Sequence, residues 1–383
     1  MTEKVEKWYP GEPREKVSPT RAILYVLTGL GILSGVIRLF FGLGATTNLS
    51  DAYPWGLWIS FDVLTGVALA GGGFTMSAII YVFNLKKFEP LLRPAKISAF
   101  LGYLMFVIGL FFDLGLPWRI WHPMVMWNPH SVLFEVAWCV MLYTTVLGTD
   151  VLIMALERFN KWEWVKFFRS IYVILIVAGI MLSTLHQSSL GALYLLLPQK
   201  MSELWATNAL GPLFFVSAVV GGLSVVTLES LISARVYRRE PELDLLSSLA
   251  KGLGAALLVY FAMKVTDLYA RRVPIWALDW GHFLFYLEIF GTVALPALLL
   301  TFKEVRTSAR GLMWCSGLAA FGVALNRFNV SWTAYGGYRA ISYFPSAVEI
   351  LVTVGLVAQG VLIFDFLTRN LPVYQHPSAE LVS

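Results

Sequence analysis

The chain has 383 residues, of which 57% are hydrophobic and 14% charged. A water-soluble protein of this size does not hide so much apolar surface, so lipid is the expected solvent. The formal charge of +5 would point to nucleic acid in a soluble chain. Here cationic loops serve to orient a membrane protein, and no nucleic-acid partner is expected.

Residues 1–19 are polar and lack the short apolar core of a cleavable signal peptide, so the first span is expected to act as an uncleaved insertion signal. A membrane-crossing helix needs roughly 20 apolar residues. That length predicts an all-α integral membrane protein with ten spans, at 20–43, 54–84, 95–116, 131–156, 167–189, 206–235, 246–270, 282–302, 309–327 and 346–368. Basic residues favour alternate loops: Lys86, Lys87, Arg93 and Lys96, then Arg158, Lys161, Lys166 and Arg169, then Arg235, Arg238 and Arg239, then Lys303, Arg306 and Arg310. The other loops hold only Arg119, Lys200, Arg271, Arg272, Arg327 and Arg339, and are rich in Trp, Tyr, Pro and Gly, as in 117–130. This asymmetry predicts a bacterial or archaeal cytoplasmic membrane with both termini cytoplasmic.

Spans two to five resemble spans six to nine. Span three ends in Asp113 and Arg119, and span seven in Asp267 and Arg272; span four opens with His130 and Glu135, span eight with His282 and Glu288. An even number of helices per copy gives parallel repeats. The expected division is a cytoplasmic segment 1–19, a flanking helix and outer loop 20–53, a first four-helix bundle 54–205, a second 206–345, and a flanking helix with tail 346–383.

Ionisable groups at membrane depth are expensive and mark ion, proton or cofactor paths. Asp62 lies about 12 Å below the outer start of span two at about 1.5 Å per residue. Glu135 is about a turn inside span four; Asp113 and His186 are placed near the outer ends of spans three and five, beside His122, His130 and Arg38. The expectation is one outer-leaflet pocket, approached along Gly66 and Gly71–Gly73, which permit close helix contact or a flat ligand. A second set runs toward the cytoplasm: Asp150, Glu229, Tyr103 above Arg93, and the stripe Ser183, His186, Gln187. These are candidates for a proton relay, although Asp150 and Glu157 also suit the inner end of span four and Arg93 suits an interfacial charge. In the second bundle, Lys264 and Asp267 are three apart and are expected to neutralise each other.

A quinone needs an apolar slot, hydrogen-bond donors at its carbonyls, and a proton donor or acceptor for each electron pair; carboxylate, imidazole and tyrosine supply these. No CxxC motif exists, and Cys139 and Cys315 lie in apolar helices, so no iron–sulfur or zinc site is expected in this chain. A bis-histidine haem needs histidines paired at depth, and His122, His130, His186 and His282 are read as lying at the outer edge, so no haem is expected. Electrons would then pass to or from a partner docked outside.

The stretches 53–74, 128–143, 182–194 and 324–330 (YPWGLWISFDVLTGVALAGGGF, NPHSVLFEVAWCVMLY, LSTLHQSSLGALY and ALNRFNV) resemble the NrfD/PsrC family, membrane anchors of polysulfide-reductase-type complexes. The ten-span layout is similar to its HybB/DsrP/HmcC-like branch, which includes the membrane subunit of periplasmic nickel–iron hydrogenases. The resemblance covers about residues 20–370. It implies a haem-free subunit reactive with menaquinone or another quinone. It also implies a periplasmic ferredoxin-like iron–sulfur partner, with a catalytic subunit or cytochrome beyond. The family's acids fall on Asp62 and Glu135, its histidine on His186, and its suspected proton route on Glu229, Arg93 and Tyr103. A secondary transporter or ion-conducting protein is the alternative, since repeated bundles and buried charges occur there too. A passive anchor would leave Glu135, Asp62 and His186 unexplained.

Overall fold

The computed structural model describes residues 18–50, 53, 55–196, 198–336 and 343–374, and these are almost entirely helical. With no water in the hydrocarbon layer, each backbone group must find its partner within its own segment, which a helix provides. The long helices are α1 Pro19–Phe41, α2 Trp58–Val82, α3 Lys86–Asp113, α4 Val132–Arg158, α5 Tyr172–Leu196, α6 Leu210–Val236, α7 Leu243–Arg271, α8 Trp280–Leu299, α9 Ala309–Ser331 and α10 Ala347–Asn370. All but α9 are long and apolar enough to cross a membrane by themselves. The α9 helix has 23 residues but carries Asn326, Arg327 and Asn329, which it buries against its neighbours.

Local chemistry sets the helix starts. Ser18 caps α1 by accepting from Arg21 N, with Pro19 in the first turn. Ser346 and Glu349 form a reciprocal capping box on α10. Asp279 caps α8 through His282 N.

Two helices are widened by π-helical stretches: Trp58–Thr65 in α2 and Leu287–Ala294 in α8. Each carries one buried acid, Asp62 and Glu288. Wide turns of this kind are frequent at functional sites. A further π turn, Ala78–Val82, ends α2, and the helix pauses at Ala70–Gly71.

Helices α2–α5 pack on one another, as do α6–α9, and the two groups meet where α6 contacts α2 and α5 and where α9 contacts α2. The two most enclosed helices are α2 and α6. Their crossing depends on glycine: a Cβ on Gly222 would sit 2.5 Å from Gly71 C, and one on Gly71 would sit 2.5 Å from Ala218 O. Gly71 and Gly222 thus serve close backbone approach. Helices α1 and α10 pair with each other and lean on α3. We call the end with loops 83–91, 159–171 and 237–242 the basic end, and the opposite end the aromatic end. At the basic end a short amphipathic helix, Trp162–Ser170, packs on α4 and α5 and anchors itself through buried Val165.

Candidate functional site

At the aromatic end, the wide turn of α2 points Asp62 at α3 and α10. Gly109 of α3 makes room for it, since a Cβ there would lie 2.7 Å from Asp62 Cβ. Thr353 of α10 donates to Asp62 Oδ2 at 2.6 Å. Asp113 faces Asp62, Glu349 and Arg38. The Arg38 guanidinium is buried and donates to the carbonyls of Phe112 (2.8 Å) and Leu114 (2.5 Å), completing the open end of α3. Buried Glu349 accepts from Asn48 N (3.0 Å), Ser346 N (2.8 Å) and the Tyr343 hydroxyl. Burial, and then the bond to Glu349, push the Tyr343 phenol up. Asp62, Asp113 and Arg38 are therefore brought together, with Thr353, Glu349 and Tyr343 as members that the sequence reading missed. They come from the flanking helix and its approach, where a lone acid in an N-cap pattern is read as a capping group.

Glu135 and His186 fall in other neighbourhoods. Glu135, in the first turn of α4, is half-buried and accepts from Ser189 Oγ of α5 at 2.7 Å. His130 is exposed in the preceding loop, and His122 sits edge-on to Trp121. His186 corrects the expected depth. The α5 helix runs on to Leu196, more than two turns past it, because Gly191 allows the helix to press on the Leu210 carbonyl of α6. His186 is fully enclosed, edge-on to Phe106 (5.8 Å) and tilted against Tyr103 (5.6 Å). The single outer pocket is thus divided: an acid group against α10, Glu135 on α4, and His186 in the core.

The His186 neighbourhood is polar: the hydroxyls of Tyr103 and Tyr143 both approach Ser183, Tyr103 also approaches Gln187, and the two His186 ring nitrogens meet no hydrogen-bond partner among the described residues. Gln187 Nε2 donates to Val67 O at 3.0 Å. Tyr103 and Tyr143 meet edge-to-face at 4.7 Å. From Tyr143 a narrow crevice lined by Gly73, Ser77 and Gly179 leads to Lys96, Asp150 and Tyr172. There Lys96 Nζ pairs with Asp150 Oδ1 (2.7 Å) and donates to the Tyr172 hydroxyl (2.8 Å).

Of the second expected set, Tyr103, Ser183 and Asp150 share this line, and Lys96, Tyr143 and Tyr172 join it. Arg93 does not. It pairs with Glu157 (2.9 Å), which also binds Arg169, and it donates to Pro372 O (2.7 Å). Glu229 lies elsewhere at the basic end, accepting from Ser233 Oγ (2.8 Å) and from the Tyr374 hydroxyl (2.7 Å). Tyr374 is stacked under the Arg239 guanidinium at 3.6 Å. A cleft of about 800 Å³ opens beside it, lined by Arg238, Arg239, Glu242 and Tyr374.

In the α6–α9 core, Glu288 accepts from Trp205 Nε1 (3.1 Å), Asn326 Nδ2 (2.8 Å) and Asn329 Nδ2 (2.7 Å). Arg327 binds Asn326 Oδ1 (2.6 Å) and Ser217 Oγ (2.9 Å) and stacks on Phe214. The expected Lys264–Asp267 pair does not form. Asp267 takes Arg271, one turn on, at 2.7 Å, while Lys264 turns into the core. Among the described residues, no group of three His, Cys, Asp or Glu side chains is placed to hold a metal ion.

These arrangements bring carboxyl, imidazole, phenol and ammonium groups together inside the helical bundles. Comparison with known proteins gives them a setting. The family model described as "Polysulphide reductase, NrfD" matches residues 45–336. A protein of Nitratidesulfovibrio vulgaris is 37% identical over 94% of this chain and 96% of its own length. The "Probable Ni/Fe-hydrogenase 2 b-type cytochrome subunit" of Escherichia coli is 30% identical over 88% of each chain. The "Menaquinone reductase, integral membrane subunit" of N. vulgaris is 28% identical, over 94% of this chain and 92% of its own length. The chain belongs to the NrfD polysulphide reductase family.

Proposed function

We propose that this chain is the haem-free, quinone-reactive membrane subunit of a redox complex in the cytoplasmic membrane, with the basic end toward the cytoplasm. Electrons pass between an iron–sulfur partner at the aromatic end and menaquinone in the lipid, and a catalytic subunit or cytochrome lies beyond that partner. The similarity to a menaquinone reductase subunit supports the substrate. The observation that carries the reading is the enclosed His186 against Tyr103, which meets Tyr143 at the head of a crevice that ends on Lys96–Asp150. Reducing a quinone takes two electrons and two protons; the reverse releases them. Glu135, Asp62 and His186 are the groups to exchange those protons near the aromatic end, with Asp113, His130 and Arg38 beside them. Ser183, Tyr103 and Asp150 give a route toward the basic end, where Glu229 and Arg93 stand apart from it.

The relative named as a b-type cytochrome raises the question of haem. A bis-histidine haem needs a second imidazole facing the first. His186 faces Tyr103 and Phe106 instead, which favours the haem-free reading.

The test is Glu135→Gln and His186→Ala in the intact complex. Quinone-linked turnover is expected to vanish while subunits still co-purify. Normal activity with menaquinone analogues in both variants sinks the assignment. The pause of α2 at Ala70–Gly71 favours a secondary transporter as the second reading, because transporters interrupt helices near the midplane. Substrate accumulation by the chain alone in proteoliposomes would support that second reading.

A further inference from the structure

The α6–α9 core encloses two cations, Lys264 and Arg327, and one carboxylate, Glu288, all fully buried. Arg327 reaches Glu288 only through Asn326, which bonds to both. Lys264 Nζ donates to Leu204 O at 3.1 Å, the one hydrogen-bond acceptor it meets among the described residues, and otherwise sits 5.8 Å from the Phe285 ring. An ammonium group carries three N–H donors and no acceptor. A network built only for stability would satisfy those donors, as it satisfies Glu288 three times over. Lys264 instead lies between two carboxylates without bonding to either: Glu288 on α8 and Asp267 one turn nearer the aromatic end of its own helix. Asp267 is held by Thr207 and by Arg271, whose side chain is partly exposed. A ladder of ionisable groups therefore runs from the aromatic-end surface to the middle of the second bundle. The widened turn of α8 presents Glu288 to it, as the widened turn of α2 presents Asp62.

We propose that Lys264 is the proton-exchanging group of a second intramembrane site, reached from the aromatic end past Asp267 and held against Glu288. The ligand is a proton. A hydronium ion at the aromatic end gives its proton to the Nζ lone pair, the amine becomes an ammonium, and neutral water remains; no electron moves. The charged and titratable groups facing Lys264 are Asp267 and Arg271 on α7 and Glu288 on α8. Tyr260 and Arg327 face Glu288 from α7 and α9. Three donors hold the Glu288 carboxyl in place beside Lys264. This site is separate from the α2–α5 groups, and its existence does not depend on quinone chemistry.

The test uses the full chain, labelled with 15N at lysine Nζ and placed in nanodiscs of phosphatidylethanolamine and phosphatidylglycerol, without quinone or partner. Solid-state NMR separates amine from ammonium nitrogen, and Lys264→Arg assigns the line. The expected result is a Lys264 line that moves between the two positions as the buffer is titrated. Its midpoint should shift in Glu288→Gln, and its exchange with water should slow in Asp267→Asn. A line fixed at either position at every pH at which the chain stays folded overturns the proposal, as does a midpoint unmoved by Glu288→Gln. Should Lys264→Arg fail to fold, reductive methylation of the wild-type chain modifies the surface lysines and leaves buried Lys264 and Lys96. Lys96→Arg then tells those two apart.

Discussion

Thr353 donates its hydroxyl to Asp62 at 2.6 Å, tying the last helix of the chain to the wide turn of α2. The two residues are 291 positions apart in sequence, and the bond forms with both side chains buried. Thr353→Val keeps the shape and removes the donor, leaving a buried carboxylate short of one partner. A loss of about 1.5–3 kcal/mol is expected from a hydrogen bond to a charged group. Thr353→Ser should restore most of it. Chemical denaturation of the chain in mild detergent reads the difference, and equal stability of the Val variant would show that Asp62 finds another donor.

The Lys96–Asp150 pair is the second target. Both side chains are about nine-tenths buried, and the bond is 2.7 Å. Lys96→Met alone strands a buried carboxylate, and breaking such a pair typically costs about 3–5 kcal/mol. Replacing both residues, Lys96→Met with Asp150→Leu, should recover most of that stability. If the pair also closes the crevice from Tyr143, the double variant will fold well yet lose proton uptake from the basic end during quinone-linked turnover. Unchanged uptake would remove Asp150 from the route.

Asp279 gives a pH prediction outside the spans. The backbone N–H of His282 holds its carboxylate below the ordinary range, and the His282 ring adds a bond at 2.8 Å. A carboxyl with a lowered folded value contributes its cap fully above the unfolded value and loses it as pH falls through the folded one. Hydrogen exchange at the first turn of α8 should therefore speed up only in acid below the usual carboxylate range. In Asp279→Ala exchange should be fast at all pH values, with the rest of α8 unaffected.

At the basic end, Tyr374 closes over Glu229. Burial, and then Glu229, push its phenol up, so it remains a donor at neutral pH. A Glu229→Cys variant should resist a membrane-impermeant maleimide in the full chain. Adding Tyr374→Ala, which also removes the ring under Arg239, should open it to labelling by about tenfold or more, the factor that follows from about 1.4 kcal/mol of lost closure. Equal labelling in both backgrounds would mean that other residues seal the site.

The spans were legible because lipid leaves little choice: an apolar run of the right length must be a helix. The α9 helix was legible too, because residues 309–327 form an apolar run of sufficient length before the polar end that holds Asn326, Arg327 and Asn329. What hydropathy could not reveal was depth and facing. His186 was placed too near the surface because the apolar run ends before the helix does. SSLGAL is helical in α5 since small residues let it press on α6. The π stretches left no mark in the sequence either, because Trp58–Thr65 and Leu287–Ala294 differ from ordinary apolar helix only in hydrogen-bond register. Thr353 and Tyr343 were missed because a lone hydroxyl in a flanking helix or loop gains meaning only from what it touches. In sequence Lys96 reads as an orienting charge at the edge of span three, but the helix already begins at Leu92, which carries Lys96 a turn further in.

The crossing of α1 and α10 brings the backbones together at Gly31 and Gly355, where an added Cβ on either would fall within 2.6 Å of the other's Cα. Below that crossing Arg21 pairs with Asp365. The beginning of the first helix and the end of the last thus lie side by side at the basic end, which is also where α6 hands over to α7. A rearranged gene that opens the chain between Arg239 and Leu243 and bridges the two old ends would start with α7, which points the same way as α1. Every helix would keep its direction across the bilayer, so the order of synthesis is a historical choice that the finished architecture does not require.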